Sequence, residues 1–207
     1  MNKALKILIA LLIIIFVVGL SLFLFGLLQP KKAGILINTT PSATVYLNGE
    51  AVGKTPFEAT RNAGEVTVRL VPEAGDKPLA VYETRVTLSP KIQTIIVREF
   101  GESEETSQGE TISFEKTGGK EASLAIVSIP DSAEVSIDGR LMGFAPYKTG
   151  AFAAGDHKIT LKVPNYIERT ISVRTVVGYK LTAVVKLAPS AETKEIRSTP
   201  TPNDIKV

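Results

Sequence analysis

The sequence predicts an all-β soluble part, two tandem small β-sandwich domains, behind one N-terminal transmembrane helix. Three observations predict it. An apolar run opens the chain, short alternating strands bounded by Gly, Pro and Asn/Asp follow, and the chain matches itself at a spacing of about 90 residues.

Ile7 to Leu28 is apolar almost throughout, with Ser21 as its only hydroxyl. At about 1.5 Å per residue, such a helix is about 33 Å long and spans a hydrocarbon core of about 30 Å. Lys3 and Lys6 precede it, and Lys31 and Lys32 follow, so flanking charge barely sets the orientation. A cleaved signal peptide would have a shorter apolar core and a small-x-small site, which Gly26-Leu27-Leu28-Gln29-Pro30 does not offer. Residues 1–32 are therefore read as an uncleaved anchor.

The repeat is carried by matched turns. Gly34 to Pro41 aligns with Ser123 to Pro130, and Ala43 to Gly49 with Ala133 to Gly139. Gly53 and Pro56 match Gly143 and Pro146. Val45-x-Leu47 and Val135-x-Ile137 alternate toward one face, then reach Asn48-Gly49 and Asp138-Gly139, residue types that tolerate the positive φ of a two-residue hairpin. Later alternating runs give six or seven short strands per unit, which fits a small sandwich. The expected domains are 33–100 and 122–188. Between them, 101–121 reads as an acidic linker with six Glu and two Lys, in which Ile112-Ser113-Phe114 adds at most an edge strand. Residues 189–207, with three prolines, read as a disordered tail.

In order and in duplication these motifs resemble the PEGA domain, a short β-module of bacterial and archaeal envelope and surface-layer proteins. The second unit supplies Ser128-Ile129-Pro130, Asp138-Gly139, Gly143-Phe144-Ala145-Pro146 and Gly155-Asp156-His157. The first supplies Thr39-Thr40-Pro41, Asn48-Gly49 and Gly53-Lys54-Thr55-Pro56, but lacks the His. The resemblance implies an envelope location, a structural or binding role and no catalytic residues.

The residues themselves exclude much chemistry. Without cysteine there is no thiol nucleophile, disulfide framework or cysteine metal site. His157 is the only histidine, and its neighbour Asp156 points to the other face of a strand, so a structural role is expected for it. Gly53-Lys54-Thr55 lacks the upstream glycine and the following helix of a phosphate loop. No basic run is interleaved with aromatics, so nucleic acid is not an expected partner. No cofactor, metal site or enzymatic activity is expected.

Asn48, Gly49, Gly53, Pro56, Asp138, Gly139, Gly143 and Pro146 are read as structural turn residues. Alternation places Lys158 and Lys162 on the outward face of one strand, and Lys180 and Lys186 on that of another. If those strands neighbour each other in one sheet, the lysines, with Arg169 and Arg174 near them, form a face for anionic polymer. The alternative is that they only keep a sheet soluble. The expected protein is a single-pass cell-membrane protein with extracytoplasmic domains. Its expected role is structural, or binding to cell-wall polymer, glycan or an envelope protein.

Overall fold

The computed structural model describes residues 3–28, 31–73, 75 and 78–190. The chain divides into two compact units, Met1–Lys31 and Lys32–Val207. The first holds one helix, α1 (Lys3–Leu28). Its described large side chains stand exposed all round, with Phe16 at 69% and Phe25 at 66%. Among the described residues no helix is long and apolar enough to cross a membrane. Side chains are described without interruption from Leu11 to Gly26, about 24 Å of helix.

The second unit is all β. The first repeat gives β1 (Lys32–Thr40), β2 (Ala43–Leu47), β3 (Glu50–Lys54), β4 (Phe57–Asn62), β5 (Gly64–Pro72), β6 (Tyr82–Leu88) and β7 (Gln93–Glu99). A strand between the repeats follows, β8 (Gln108–Lys116). The second repeat gives β9 (Ala122–Ile129), β10 (Glu134–Ile137), β11 (Arg140–Phe144), β12 (Tyr147–Phe152), β13 (Gly155–Lys162), β14 (Arg169–Thr175) and β15 (Tyr179–Lys186).

Each repeat folds its middle strands into a four-stranded sheet, β3-β2-β5-β6 or β11-β10-β13-β14. The remaining strands of both repeats enter one seven-stranded sheet, β12-β9-β15-β8-β7-β1-β4. β8 is its central strand, antiparallel to β7 (Ile95↔Ile112) and to β15 (Leu181↔Phe114). Read inward from either end to β8, the sheet places equivalent strands of the two repeats in the same order, β12-β9-β15 and β4-β1-β7, with β1 parallel to β7 and β9 parallel to β15.

This corrects the linker reading of 101–121. Its polar composition suggested solvation, but Ile112 and Phe114 are 4% and 8% exposed and join the second repeat's core. The facing edges of β7 and β15 each need a backbone partner, and β8 supplies both. The expected edge strand is thus an interior one, and the two sandwiches share a sheet rather than standing apart as 33–100 and 122–188.

Two cores persist. The first centres on Ile35, Ile37, Val45, Val68, Leu70 and Ile96. The second centres on Leu124, Ile126, Val135, Ile159, Leu161 and Leu181. Ile92 and Ile95, from the first repeat, pack against the second core. The pleat sends consecutive residues to opposite faces, so the two four-stranded sheets cover opposite faces of the long one.

Asn48 and Gly49 lie at φ 51° and 86°, and Asp138 and Gly139 at 50° and 78°. Gly53 and Gly143 sit at β-bulges, where the register against β2 and β10 shifts. The bonds preceding Pro41, Pro56, Pro130 and Pro146 are cis. The hydroxyl of the S/T-x-P motif closes its turn: Thr39 Oγ1 and Ser128 Oγ each donate to the carbonyl of the motif's proline, at 2.7 Å. Of the predicted tail, Pro189 bridges Tyr166 and Ser190 N–H bonds Asn165 O at 2.9 Å. The rest of it lies outside the described residues.

Candidate functional site

The predicted lysine face is not assembled. Lys158 and Lys162 are on β13, in a four-stranded sheet, whereas Lys180 and Lys186 are on β15, in the seven-stranded sheet. The condition that the strands neighbour each other fails, because strands close in sequence here belong to different layers. Lys180 is tied to Glu115 on β8, and Lys186 Nζ lies 3.0 Å from Glu104 Oε1. Arg174 faces Asp156 at 4.0 Å, with both exposed.

Arg169 does something the sequence does not foretell. Its side chain is 12% exposed and reaches from β14 across to Glu99 on β7, Nη1 to Oε1 at 2.8 Å. It also reaches Glu110 on β8, Nε to Oε2 at 2.5 Å. Burial holds the Glu110 carboxyl above its ordinary range, against the pull of Arg169. Burial also acts upward on Glu99, but hydrogen bonds from Arg169 and Gln108 outweigh it, and its pKa falls. On the other face of the sheet, Arg98 is 4% exposed, bonds Glu104 at 2.5 Å, and lies over the Tyr82 ring at 4.4 Å. These two junctions tie the repeats to β8 and to the turn before it. They join residues up to 70 apart in sequence, and no local motif marks them.

His157 is a structural residue of the second hairpin. Its Nδ1 lies 2.7 Å from Asp138 Oδ2, and its Nε2 3.1 Å from Ala153 O. The ring packs on Phe152 at 4.6 Å. Asp138 Oδ1 also accepts the Lys158 N–H at 2.9 Å, as Asn48 Oδ1 accepts that of Thr67 at 2.9 Å. The turn residues thus pin each hairpin to the neighbouring strand. Lys54, of the Gly-Lys-Thr triplet, pairs with Glu73. Among the described residues no group of three or more His, Cys, Asp or Glu side chains could hold a metal ion.

Two grooves flank β8, one on each face of the long sheet. One, of about 490 Å³, runs beside β14 and is floored by Ile92, Ile95, Ile112 and Phe114, with Val173 and Val176 as its wall. The other, of about 460 Å³, runs beside β6 over Thr111, Ser113, Thr182 and Val184. They occupy equivalent places in the two repeats, but the first is apolar and the second is lined by hydroxyls. β6 and β14 are the outer strands of their sheets.

Two fused sandwiches with a shared strand, structural turns and open grooves define a duplicated β-module. The PEGA domain model matches residues 33–97 and 121–188, and the chain belongs to that family. No curated protein matches it. Among solved structures it is similar to the Bacillus anthracis TIE protein, at 11% identity and a TM-score of 0.25. That alignment covers 78% of this chain and 34% of the other.

Proposed function

We propose that the protein is a single-pass, membrane-anchored envelope protein whose two PEGA repeats form one rigid extracytoplasmic spacer, without enzymatic activity. The observation that carries this reading is the shared strand. Because β8 is hydrogen-bonded to both repeats, residues 101–121 form no free hinge, and seven strands at about 4.8 Å make a plate about 29 Å wide. The apolar stretch Ile7–Leu28 supports the anchor, since a helix apolar all round needs an apolar environment. Long C-terminal regions translocate despite balanced flanking charge. A phosphatase that works only outside the cytoplasm, fused after Val207, should be active, with the fusion staying in the membrane pellet after carbonate washing. Activity only from a cytoplasmic reporter would sink the topology, and release by carbonate would sink the anchor.

A second reading, binding of an envelope protein, is favoured by one observation: the apolar groove lies along the unpaired edge of β14. An extended partner segment can add to such an edge. The Lys158, Lys162, Lys180 and Lys186 face for wall polymer loses its support with the strands in separate sheets.

A further inference from the structure

The strand registers sort the charged residues along the body. Lys32 opens β1, and its carbonyl accepts the Lys91 N–H at 2.8 Å. Four residues toward this end from the Ile95–Ile112 pair come Lys91 and Lys116. Lys116 is paired with Tyr179, so the β14–β15 turn lies at the same pole. There Gly178 O accepts the Thr117 N–H at 2.9 Å, and Gly178 N–H bonds Glu121 O at 3.0 Å. This pole therefore gathers Lys32, Lys91, Lys116 and Lys120, all exposed.

Among the described residues Lys91, Lys116 and Lys120 make no ion pair, while Lys32 bonds only the neutral Asn62. Elsewhere Lys54, Arg69, Arg85, Arg98, Arg169, Arg174, Lys180 and Lys186 each face a carboxylate, whereas Arg61, Arg140, Lys148, Lys158 and Lys162 form no ion pair among the described residues. Glu121 is the one exposed acid in the stretch 117–121; of the other exposed acids that the registers bring to this end, Glu65 faces Arg85, Asp156 faces Arg174 and Asp138 faces His157, and Glu50 forms no ion pair among the described residues. From the same pole Val176 and Val177 project at 36% and 53% exposure. The opposite pole is acidic, with Glu102, Glu105, Asp131 and Glu168 exposed at the far ends of the strands.

We infer that the Lys32–Lys91–Lys116–Lys120 pole is a docking surface for anionic lipid headgroups, with the Val176–Val177 turn seated among them. The inference rests on the membrane-anchored reading above. Two observations choose lipid as the occupant. Charge complements charge, since unpaired lysines near an anionic bilayer are drawn to it within a Debye length. The chain also enters the body at this pole, four residues after the end of α1. The acidic pole then faces away, and the body stands on its basic end.

The chain has no tryptophan, so one introduced residue reports alone. Full-length V177W and D131W are placed in nanodiscs of phosphatidylcholine with or without phosphatidylglycerol, carrying a headgroup-level spin-labelled lipid. V177W should lose most of its emission in anionic discs, and recover it at high salt or when Lys91, Lys116 and Lys120 become Gln. D131W should stay bright throughout. Bright V177W in anionic discs, or equal quenching of both variants, overturns the inference. So does V177W emission that responds to dissolved wall polymer but not to the discs. Failure of the chain to enter discs at all would instead count against the anchor, which separates the two readings.

Discussion

Ile95 and Ile96 are adjacent on β7 and serve different cores: Ile96 is buried in the first repeat, and Ile95 packs against the second. The pleat makes β7 a wall of both sandwiches, and β8 continues that wall. The two repeats should therefore unfold together. Full-length protein in detergent should show one calorimetric transition, and Gly139→Val, which forces a β-branched residue to φ 78°, should lower it without leaving a separate first-repeat transition. Two resolved transitions, one unmoved by the substitution, would show that sharing a sheet does not couple the cores.

Gly109 tests the junction of β7 and β8 directly. A Cβ there would lie 2.1 Å from Val97 O, at a φ of 154°. Gly143 has a comparable φ of 135° with nothing within 4 Å. Backbone strain alone costs about 1–3 kcal/mol and applies to both. Gly109→Ala should therefore destabilise clearly more than Gly143→Ala in urea titrations. Equal losses would mean the strands separate easily at that point.

The Arg169 junction links the repeats through charge. Arg169→Met leaves Glu110, with a side chain 10% exposed, without its cation. Such a loss costs about 3–5 kcal/mol, and part of it should return in the double variant with Glu110→Gln. No recovery would mean that the Arg169 stem, not its charge, matters.

The same carboxylates set the pH dependence. Glu99 and Glu104 have lowered pKa values: burial acts upward on both, and hydrogen bonds from Arg169 and Gln108, or from Lys186 and Arg98, outweigh it. Their contribution is present above the ordinary value of 4.5 and is lost as pH falls through their lower folded values. Glu110 is raised by burial, so its term runs the other way: stability declines as pH rises from 4.5 to its folded value. Glu99→Gln should flatten the acid limb of urea midpoint against pH, and Glu110→Gln should remove the decline above 4.5. Parallel profiles for wild type and both variants would detach the junction from acid stability.

How much of this was legible follows the range of the interactions. Asn48-Gly49, Asp138-Gly139 and the alternation around Val45 and Val135 act within a few residues, so the sandwiches, their hairpins and their duplication could be read. β8 could not, because its Glu, Ser and Thr look like linker. Only the edges of β7 and β15 and the distant Arg169 make that segment a strand. The lysine face failed for a related reason: alternation gives the side of a strand, not the sheet to which it belongs. The basic pole also emerges only when turns at 91, 116–120 and 176–178 are brought to one end.

Asp138 and His157 give a last comparison, between the repeats. In the second repeat Asp138 accepts from the Lys158 backbone and faces the His157 ring. In the first, Asn48 makes the same backbone bond to Thr67 without a histidine. The hydrogen bond from His157 is the largest reason the Asp138 carboxyl sits below its ordinary range. The bond to the ring therefore adds stability above about 3.8, which is lost as pH falls through the lower folded value. Asp138→Asn should copy the first repeat: the hairpin and its backbone bond persist, the melting temperature drops slightly at neutral pH, and the drop vanishes in acid. Asp138→Ala should drop further at every pH, because the Lys158 N–H also loses its acceptor. Amide exchange at Lys158 reads the difference, slow in Asp138→Asn and fast in Asp138→Ala. Equal exchange in the two variants would show that the side chain is not what pins the hairpin to β13.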